Sequence, residues 1–295
     1  MPELPEVETI VRDLAATLPG TKIKAFKLLY AGAINVSLAQ WRRRVVGQKI
    51  IKVWRRGKQL IFDLAGGEHI VIHLKMTGQL IWRHPSTSLR AGRKQKMIVG
   101  GHPIIGVGQS LPNKFTRAIF YFTDGSQLFF NDVRKFGWLK ITAADELAAS
   151  FGRLGPEPLS PQFTGKKLQE LLGTKARSKI KTALLDQTKI AGIGNIYDDE
   201  ALWLSRIKPS RLVGQLRTKD WTALAKAIKQ VLRLSIKHRG TSFSDYRDAS
   251  GAQGNFIAKL KVYGRGGQSC PRCGRPLNKT KLAGRGTHWC SHCQK

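Results

Sequence analysis

The stretch Arg117-Ala-Ile-Phe-Tyr-Phe-Thr-Asp-Gly-Ser-Gln-Leu-Phe-Phe-Asn131 reads as two short strands around a tight turn. Aromatic and β-branched residues fill both arms, and Asp124-Gly125 supplies the residue types a hairpin turn demands. The same texture recurs upstream, so Lys22–Tyr30, Lys49–Trp54, Gln59–Leu64, His69–Leu74 and Gly78–Trp82 are predicted strands. Many short strands between turn signals point to a β-sandwich or a barrel. Ahead of them, Val7, Ile10, Val11, Leu14 and Leu18 recur at helical spacing. With Pro5 in the first turn and Gly20 as a stop, they predict a helix over Glu6–Leu18.

Working outward, the pattern lapses between Arg83 and Lys114, a Gly-, Lys- and Arg-rich stretch expected to be a long exposed loop. Phe151–Gly165 carries three Gly and three Pro and marks a domain boundary. Beyond it the period becomes helical over Lys166–Leu172, Ser178–Asp186, Ile196–Leu204 and Lys219–His238. A Gly-rich tail holding all four Cys runs from about Leu260. The expected organisation is α+β: a domain over 1–150 with a helix and strands, a helical domain over 151–259, and a Cys-bearing module over 260–295.

Lys and Arg number 51 against 19 Asp and Glu, a formal net charge of +32 over 295 residues. That excess disfavours a carrier of acidic ligands or an ordinary metabolic enzyme and favours DNA, RNA or an anionic membrane as partner. No run of about 18 apolar residues exists to span a membrane, and the opening residues do not read as a signal peptide. With 41% hydrophobic residues, wholesale disorder is excluded. A reducing cytoplasmic compartment is expected. From His69 to Thr123 there is no carboxylate, yet Glu3, Glu6 and Glu8 crowd the first eight residues. Carboxylates suit the first turn of a helix, or they serve chemistry there.

Three motifs carry chemical signals. Cys270-Pro-Arg-Cys273 and Cys290-Ser-His-Cys293 are two CxxC knuckles sixteen residues apart. That spacing suits one structural zinc held by Cys270, Cys273, Cys290 and Cys293, in preference to disulfides or to ligation by His288 or His292. The basic segment between the knuckles is expected to form a hairpin whose tip faces a phosphate or a base. Lys189-Ile-Ala-Gly-Ile-Gly-Asn-Ile-Tyr197 is a Gly-rich turn running into a helix, with Asn195 suited to the N-cap. It is either a phosphate site or a tight turn between packed helices. In Met1-Pro-Glu-Leu-Pro-Glu6, removal of Met1 exposes Pro2 as a secondary amine; the alternative is an ordinary amphipathic first helix.

Taken together, Met1-Pro-Glu-Leu-Pro-Glu-Val-Glu-Thr9, Gly192-Ile-Gly-Asn-Ile-Tyr197 and the terminal four-Cys finger resemble the bacterial formamidopyrimidine-DNA glycosylases, in the right order and over nearly the whole chain. The resemblance implies an amino-terminal helix with a β-sandwich, a helix–two-turns–helix motif, a zinc-finger hairpin, and damaged duplex DNA bound by a monomer in the basic cleft between domains. It implies a bifunctional enzyme of the bacterial cytoplasm that excises oxidised purines, such as 8-oxoguanine and formamidopyrimidines, and then cleaves the abasic strand by β,δ-elimination. Pro2 would be the nucleophile, Glu3 the proton-handling carboxylate, Glu6 a member of the same cluster, and Lys58 a phosphate-holding lysine. Lys181, Asn195 and Arg285 would grip phosphates. Met76, Arg134 and Phe136 would fill the gap left by an everted nucleotide, offsetting lost stacking. Glu200 would stand behind the Asn195 site, and His73 reads as a packing residue.

Two features depart from the family pattern: the Arg83–Lys114 connection is long, and the lesion-capping region near Gly240–Tyr246, followed by Gly251 and Gly254, is variable. Rival readings are an endonuclease VIII-like enzyme for oxidised pyrimidines, which Leu4 disfavours, and a zinc-finger nucleic-acid-binding protein without chemistry, which the carboxylates beside Pro2 disfavour.

Overall fold

The computed structural model describes residues 1–84, 97–101, 111–241 and 256–295. It divides into two compact units, Met1–Phe151 with Arg239–Ile257, and Gly152–His238 with Ala258–Lys295.

The first unit opens with α1 (Leu4–Ala15), β1 (Ile23–Leu28), α2 (Leu38–Val45), β2 (Ile50–Arg56), β3 (Gln59–Leu64), β4 (His69–His73) and β5 (Gly78–Arg83). Then follow β6 (Met97–Gly101), β7 (Thr116–Phe122), β8 (Gln127–Asp132), β9 (Trp138–Thr142) and α3 (Ala144–Gly152). They form a five-stranded sheet, β1-β7-β8-β5-β6, and a four-stranded sheet, β2-β3-β4-β9. Every pairing between these strands is antiparallel. Side chains alternate as a pleat requires. Phe120, Phe122, Leu128 and Phe130 of one sheet and Leu60, Phe62, Ile70 and Ile72 of the other enter one core. Ile119 and Phe129 lie in a separate cluster on the opposite face of their sheet. This is the sandwich alternative, not a barrel.

The β7–β8 hairpin turns at Asp124-Gly125. Gly125 holds φ +81°, and the Asp124 carboxylate accepts from the Ser126 N–H at 2.8 Å and its hydroxyl at 2.7 Å. Helix α1 presents Val7, Ile10, Val11 and Leu14 to the shared core. It lies so close to β6 that a Cβ on Gly100 would meet Ile10 Cγ1 at 2.2 Å.

Four elements escape the sequence reading, α3 among them. Strand β6 sits inside the stretch expected to be loop: its Ile-Val pair pairs with β5, but basic and Gly-rich flanks dilute its period. The remainder of that expected loop, 85–96 and 102–110, lies outside the described residues, as do 242–255 of the lesion-capping region. Helix α2 is too short for a period to show, although the Ser37 hydroxyl accepts from the Gln40 N–H at 3.2 Å in a capping box. Strand β9 alternates burial only because it closes the four-stranded sheet beside β4.

The second unit holds α4 (Gly165–Gly173), α5 (Ile180–Leu184), α6 (Asn195–Leu204), α7 (Thr218–Lys237), β10 (Asn278–Leu282) and β11 (Arg285–Trp289). Ile196 to Trp203 of α6 are all buried, polar residues included, so this helix is the unit's axis. Strands β10 and β11 form the expected hairpin, turning through Ala283 and Gly284 at φ +46° and +78°. Among the described residues, no helix is long and apolar enough to cross a membrane.

Candidate active site and nucleic-acid interface

The three amino-terminal carboxylates have three different surroundings. Glu8 faces cations: Arg55 Nε lies 2.6 Å and Arg12 Nε 2.8 Å away. Burial pushes its carboxyl up, but the two guanidiniums outweigh it and hold it below the usual range. Glu6 turns to its own unit's returning segment. Its Oε1 accepts from the Thr241 N–H at 2.7 Å and the Thr241 hydroxyl at 2.9 Å, while Oε2 accepts from the Glu3 N–H at 2.9 Å. Gly240 makes that approach possible: it holds φ +85°, and a Cβ there would sit 2.9 Å from Glu6 Oε1. Arg239 adds an ion pair to Asp13 on α1. Glu3 and Pro2 are buried at the helix entrance. The motif thus places Glu3 and Glu6 beside Pro2 and commits Glu8 elsewhere.

Lys58 occupies the β2–β3 turn, after Gly57 at φ +57°, and is 8% exposed. His73 at the end of β4 accepts the Lys75 N–H on its Nδ1 at 2.9 Å. Burial, with the charges of Lys75 and Lys58, lowers its pKa to about 3. The ring is therefore neutral at ordinary pH, and Lys58 is its electrostatic neighbour.

Met76 and the pair Arg134 and Phe136, 58 and 60 positions further along the chain, come together on the surface. Arg134 Nη1 lies 2.9 Å from Met76 Sδ, and its guanidinium sits 4.7 Å from the Phe136 ring centroid. Met76 is 43% and Phe136 54% exposed, large apolar groups with no core to fill. The residue that assembles them is Asp132, fully buried at the end of β8. Its Oδ1 accepts from the Thr77 hydroxyl and from the Arg134 N–H at 3.2 Å, and its Oδ2 from the Gly137 N–H at 2.6 Å. The sequence reading passed over Asp132; a carboxylate ending an apolar strand two residues before Arg134 was the available signal.

In the second unit the turn before α6 is built around Gln187. Its Nε2 donates to the Ile193 carbonyl at 2.8 Å, and its Oε1 accepts the Gly192 N–H at 2.9 Å. Asn195 is not the N-cap: Gly194 takes that place and Asn195 begins the helix. Its Nδ2 donates instead to the Gly286 carbonyl at 2.9 Å, beside Arg285 on the exposed finger tip. An amide nitrogen carries two donors, so one remains for a phosphate. Asn195 and Arg285 are therefore brought together.

Lys181 is not. It is 1% exposed, with its ammonium 2.5 Å from Asp199 and 3.4 Å from Asp198. Burial opposes its charge, but the two carboxylates outweigh that and raise its pKa. A surface phosphate cannot reach an ammonium so enclosed. Lys181 instead fixes Asp199, whose Oδ2 accepts the His288 N–H of β11 at 2.8 Å. Glu200, 3% exposed, accepts the N–H groups of Lys261, Val262 and Tyr263 at 2.9, 2.8 and 2.9 Å. Burial raises its pKa against those donors. Asp199 and Glu200 thus fasten the finger and the segment leading into it, while Asp198 pairs with Lys181; in a chain so poor in acids, three successive carboxylates were a legible signal.

The four Cys Sγ atoms lie within 4.8 Å of one another, and Cys273 and Cys290 are 3.6 Å apart. Zn–S bonds of about 2.3 Å in a tetrahedron require S–S edges of about 3.8 Å. Burial and neighbouring thiols push Cys293 up to about 12. A divalent cation removes that mutual repulsion, so the cluster fits one structural zinc. His288 is engaged with Asp199, and His292 stands outside the cluster.

Sequence models match this chain in three consecutive parts. They are the formamidopyrimidine-DNA glycosylase N-terminal domain over 1–139, its H2TH domain over 154–247, and the zinc finger found in FPG and IleRS over 267–295. The formamidopyrimidine-DNA glycosylase of Carboxydothermus hydrogenoformans is 41% identical over 296 residues, covering 100% of both chains. That of Pelotomaculum thermopropionicum is 40% identical over 298 residues, covering 100% of this chain and 99% of its own. The chain belongs to the formamidopyrimidine-DNA glycosylase family. Members of this family are DNA repair enzymes, both glycosylase and abasic-site lyase. Among solved structures, the Lactococcus lactis family member bound to DNA containing N7-benzyl-Fapy-dG superposes with a TM-score of 0.84 at 34% identity, covering 100% of both chains. The same Lactococcus lactis protein bound to abasic-site DNA gives 0.83 at 34% identity, covering 99% of each. Family membership gives the fold, the enzyme class and the zinc finger.

Proposed function

We propose that this chain, acting as a monomer, excises oxidised purines from duplex DNA through Pro2 and then cleaves the abasic strand. The observation that carries the assignment is the placement of Glu3 and Glu6 at the entrance of α1 beside buried Pro2, with Glu6 anchored by the Glu3 and Thr241 N–H groups. Once Met1 is removed, Pro2 offers a terminal amine. An α-amine titrates near pH 8, against about 10.4 for Lys, so far more of it is free base at neutral pH. Its lone pair attacks the sugar C1′ and the damaged base departs; Glu3 is the group to manage protons in that step. The sugar ring then opens: the C1′–O4′ bond breaks, O4′ takes a proton from Glu3, and the nitrogen lone pair forms the C1′ iminium. The iminium acidifies the C2′ proton, and loss of that proton expels the 3′ phosphate. A second elimination expels the 5′ phosphate, and hydrolysis frees Pro2.

Lys58 in the first unit, and Asn195 with Arg285 in the second, hold backbone phosphates. Met76, Arg134 and Phe136 occupy the space of the everted nucleotide and offset part of the few kcal/mol that eversion costs.

Borohydride reduction during incubation with an 8-oxoguanine duplex tests the chemistry. A covalent protein–DNA adduct is expected from the mature chain and from Pro2→Gly, which keeps a terminal amine. A tag fused directly before Pro2 abolishes it. Strong trapping with that blocked terminus overturns the assignment and moves the nucleophile to a lysine, Lys58 first. Faster release from a thymine-glycol duplex than from 8-oxoguanine overturns the purine preference.

A further inference from the structure

A cavity of about 800 Å³ opens in the second unit among the turn after α6, the start of α7 and the two Cys knuckles. Arg206, Arg211, Arg217, Lys219 and Arg272 line it, with Asp220 as its carboxylate. Asn195 and Arg285 are not among its walls.

Much of the local charge is already matched. Asp220 is taken by the Arg211 guanidinium and the Arg217 N–H, both at 2.9 Å. Arg272 lies 4.2 Å from the Trp203 ring centroid and donates to the Trp203 carbonyl at 3.1 Å, which holds it against the knuckle wall. Cys273 and Cys293 form part of that wall. A zinc tetrathiolate leaves negative charge there for Arg272 to balance. Among the described residues, no carboxylate pairs with the side chains of Arg206, Arg217 or Lys219. The first turn of the 20-residue helix α7 adds its positive dipole end to the same space.

Arg206 is also placed against its backbone preference. It holds φ +63°, a conformation in which glycine is least costly. Arg217 likewise occupies the N-cap of α7, where Ser, Thr, Asp or Asn stabilises best. At two positions where a smaller residue serves the fold better, a long cation faces the cavity.

We propose that this cavity binds an oligophosphate: a run of phosphoryl groups, from a nucleic-acid backbone or from a free polyphosphate. Several converging guanidiniums match phosphoryl oxygens, and the volume admits more than a single phosphate. The site is separate from the finger tip and does not depend on the glycosylase reading.

The test uses the zinc-loaded full chain with two probes, inorganic tripolyphosphate and a short single-stranded oligonucleotide. The variant is Arg206→Gly with Arg217→Ser. Glycine relieves the positive φ and serine improves the cap, so the fold is kept and lost binding is not lost folding. Zinc content and affinity for an 8-oxoguanine duplex are expected to be unchanged. Affinity for the probe is expected to fall on the order of tenfold for each charge-assisted contact removed. Tripolyphosphate binding alone assigns the site to free polyphosphate. Oligonucleotide binding that competes with it and weakens in the variant assigns it to a nucleic-acid backbone. Equal binding by the variant, binding of neither probe, or a loss produced only by Arg285→Ala overturns the proposal.

Discussion

Thr77 donates its hydroxyl to the carboxylate of buried Asp132 and accepts the Arg134 N–H at 2.9 Å. Through this pair the turn carrying Met76 and the loop carrying Arg134 and Phe136 become one rigid surface. Asp132→Asn keeps the shape but turns one acceptor into a donor facing N–H groups. Bonds to a charged group contribute roughly 1.5–3 kcal/mol each. A stability loss of about 2 kcal/mol is expected, with lesion-duplex affinity reduced about tenfold or more and zinc content unchanged. Denaturant unfolding and duplex titration check both halves; a destabilised variant with intact affinity would separate Asp132 from the trio.

The enclosure of Lys181 by two buried carboxylates distinguishes it from Lys58 and Arg285. Lys58→Ala and Arg285→Ala should each shallow the slope of log affinity against log salt by about 0.9 on duplex DNA. Lys181→Met should leave that slope unaltered. It should instead destabilise the second unit by about 3–5 kcal/mol, since Asp198 and Asp199 stay buried without their cation. A shallower slope for Lys181→Met would return Lys181 to the phosphate contacts.

His73 links stability to acid. Its pKa falls from 6.5 to about 3 on folding. The unfolded chain therefore takes up a proton that the fold refuses between those values. The stabilising effect of the neutral ring is complete above pH 6.5 and is lost as pH falls toward 3. By pH 5 the loss amounts to about 2 kcal/mol. Thermal melts at pH 7 and pH 5 should show a larger drop for the native chain than for His73→Asn; equal drops would discount the linkage.

Zinc removal should act on the finger first. Structural zinc contributes roughly 10–16 kcal/mol of apparent binding energy to the loop it folds. Chelation or Cys290→Ser should unfold β10–β11, release Arg285 and the Asn195–Gly286 bond, and abolish duplex binding. The first unit, whose core shares no residue with the finger, should keep its own unfolding transition. Metal analysis of the native chain should give about one zinc; a value near zero would dismiss the site.

The residues alone were enough where one strong local signal decided the element. The Asp124-Gly125 turn, the apolar period of α1 and the CxxC spacing are short-range signals, each with one physical reading. The amino-terminal motif, the Gly192–Tyr197 turn and the finger together point to the family by sequence alone. Sandwich against barrel was different, because it depends on which strands share a core. A Met or a Phe can also fill a core, and the exposure of Met76 and Phe136 beside Arg134 speaks against that role here.

What tertiary structure alone decided are the long-range polar bonds. Lys181 and Arg285 are both cations in basic surroundings by sequence. One is enclosed by Asp198 and Asp199 and the other stands free on a hairpin tip, because α6 is buried along its length and the finger is not. Glu6 and Glu8 are neighbours on one helix. Glu6 meets Thr241 and Glu8 meets Arg55, 235 and 47 positions away along the chain. A carboxylate's role follows from the charge and donors that the fold brings to it, and side chains so distant in sequence leave no periodic trace by which to foresee the meeting.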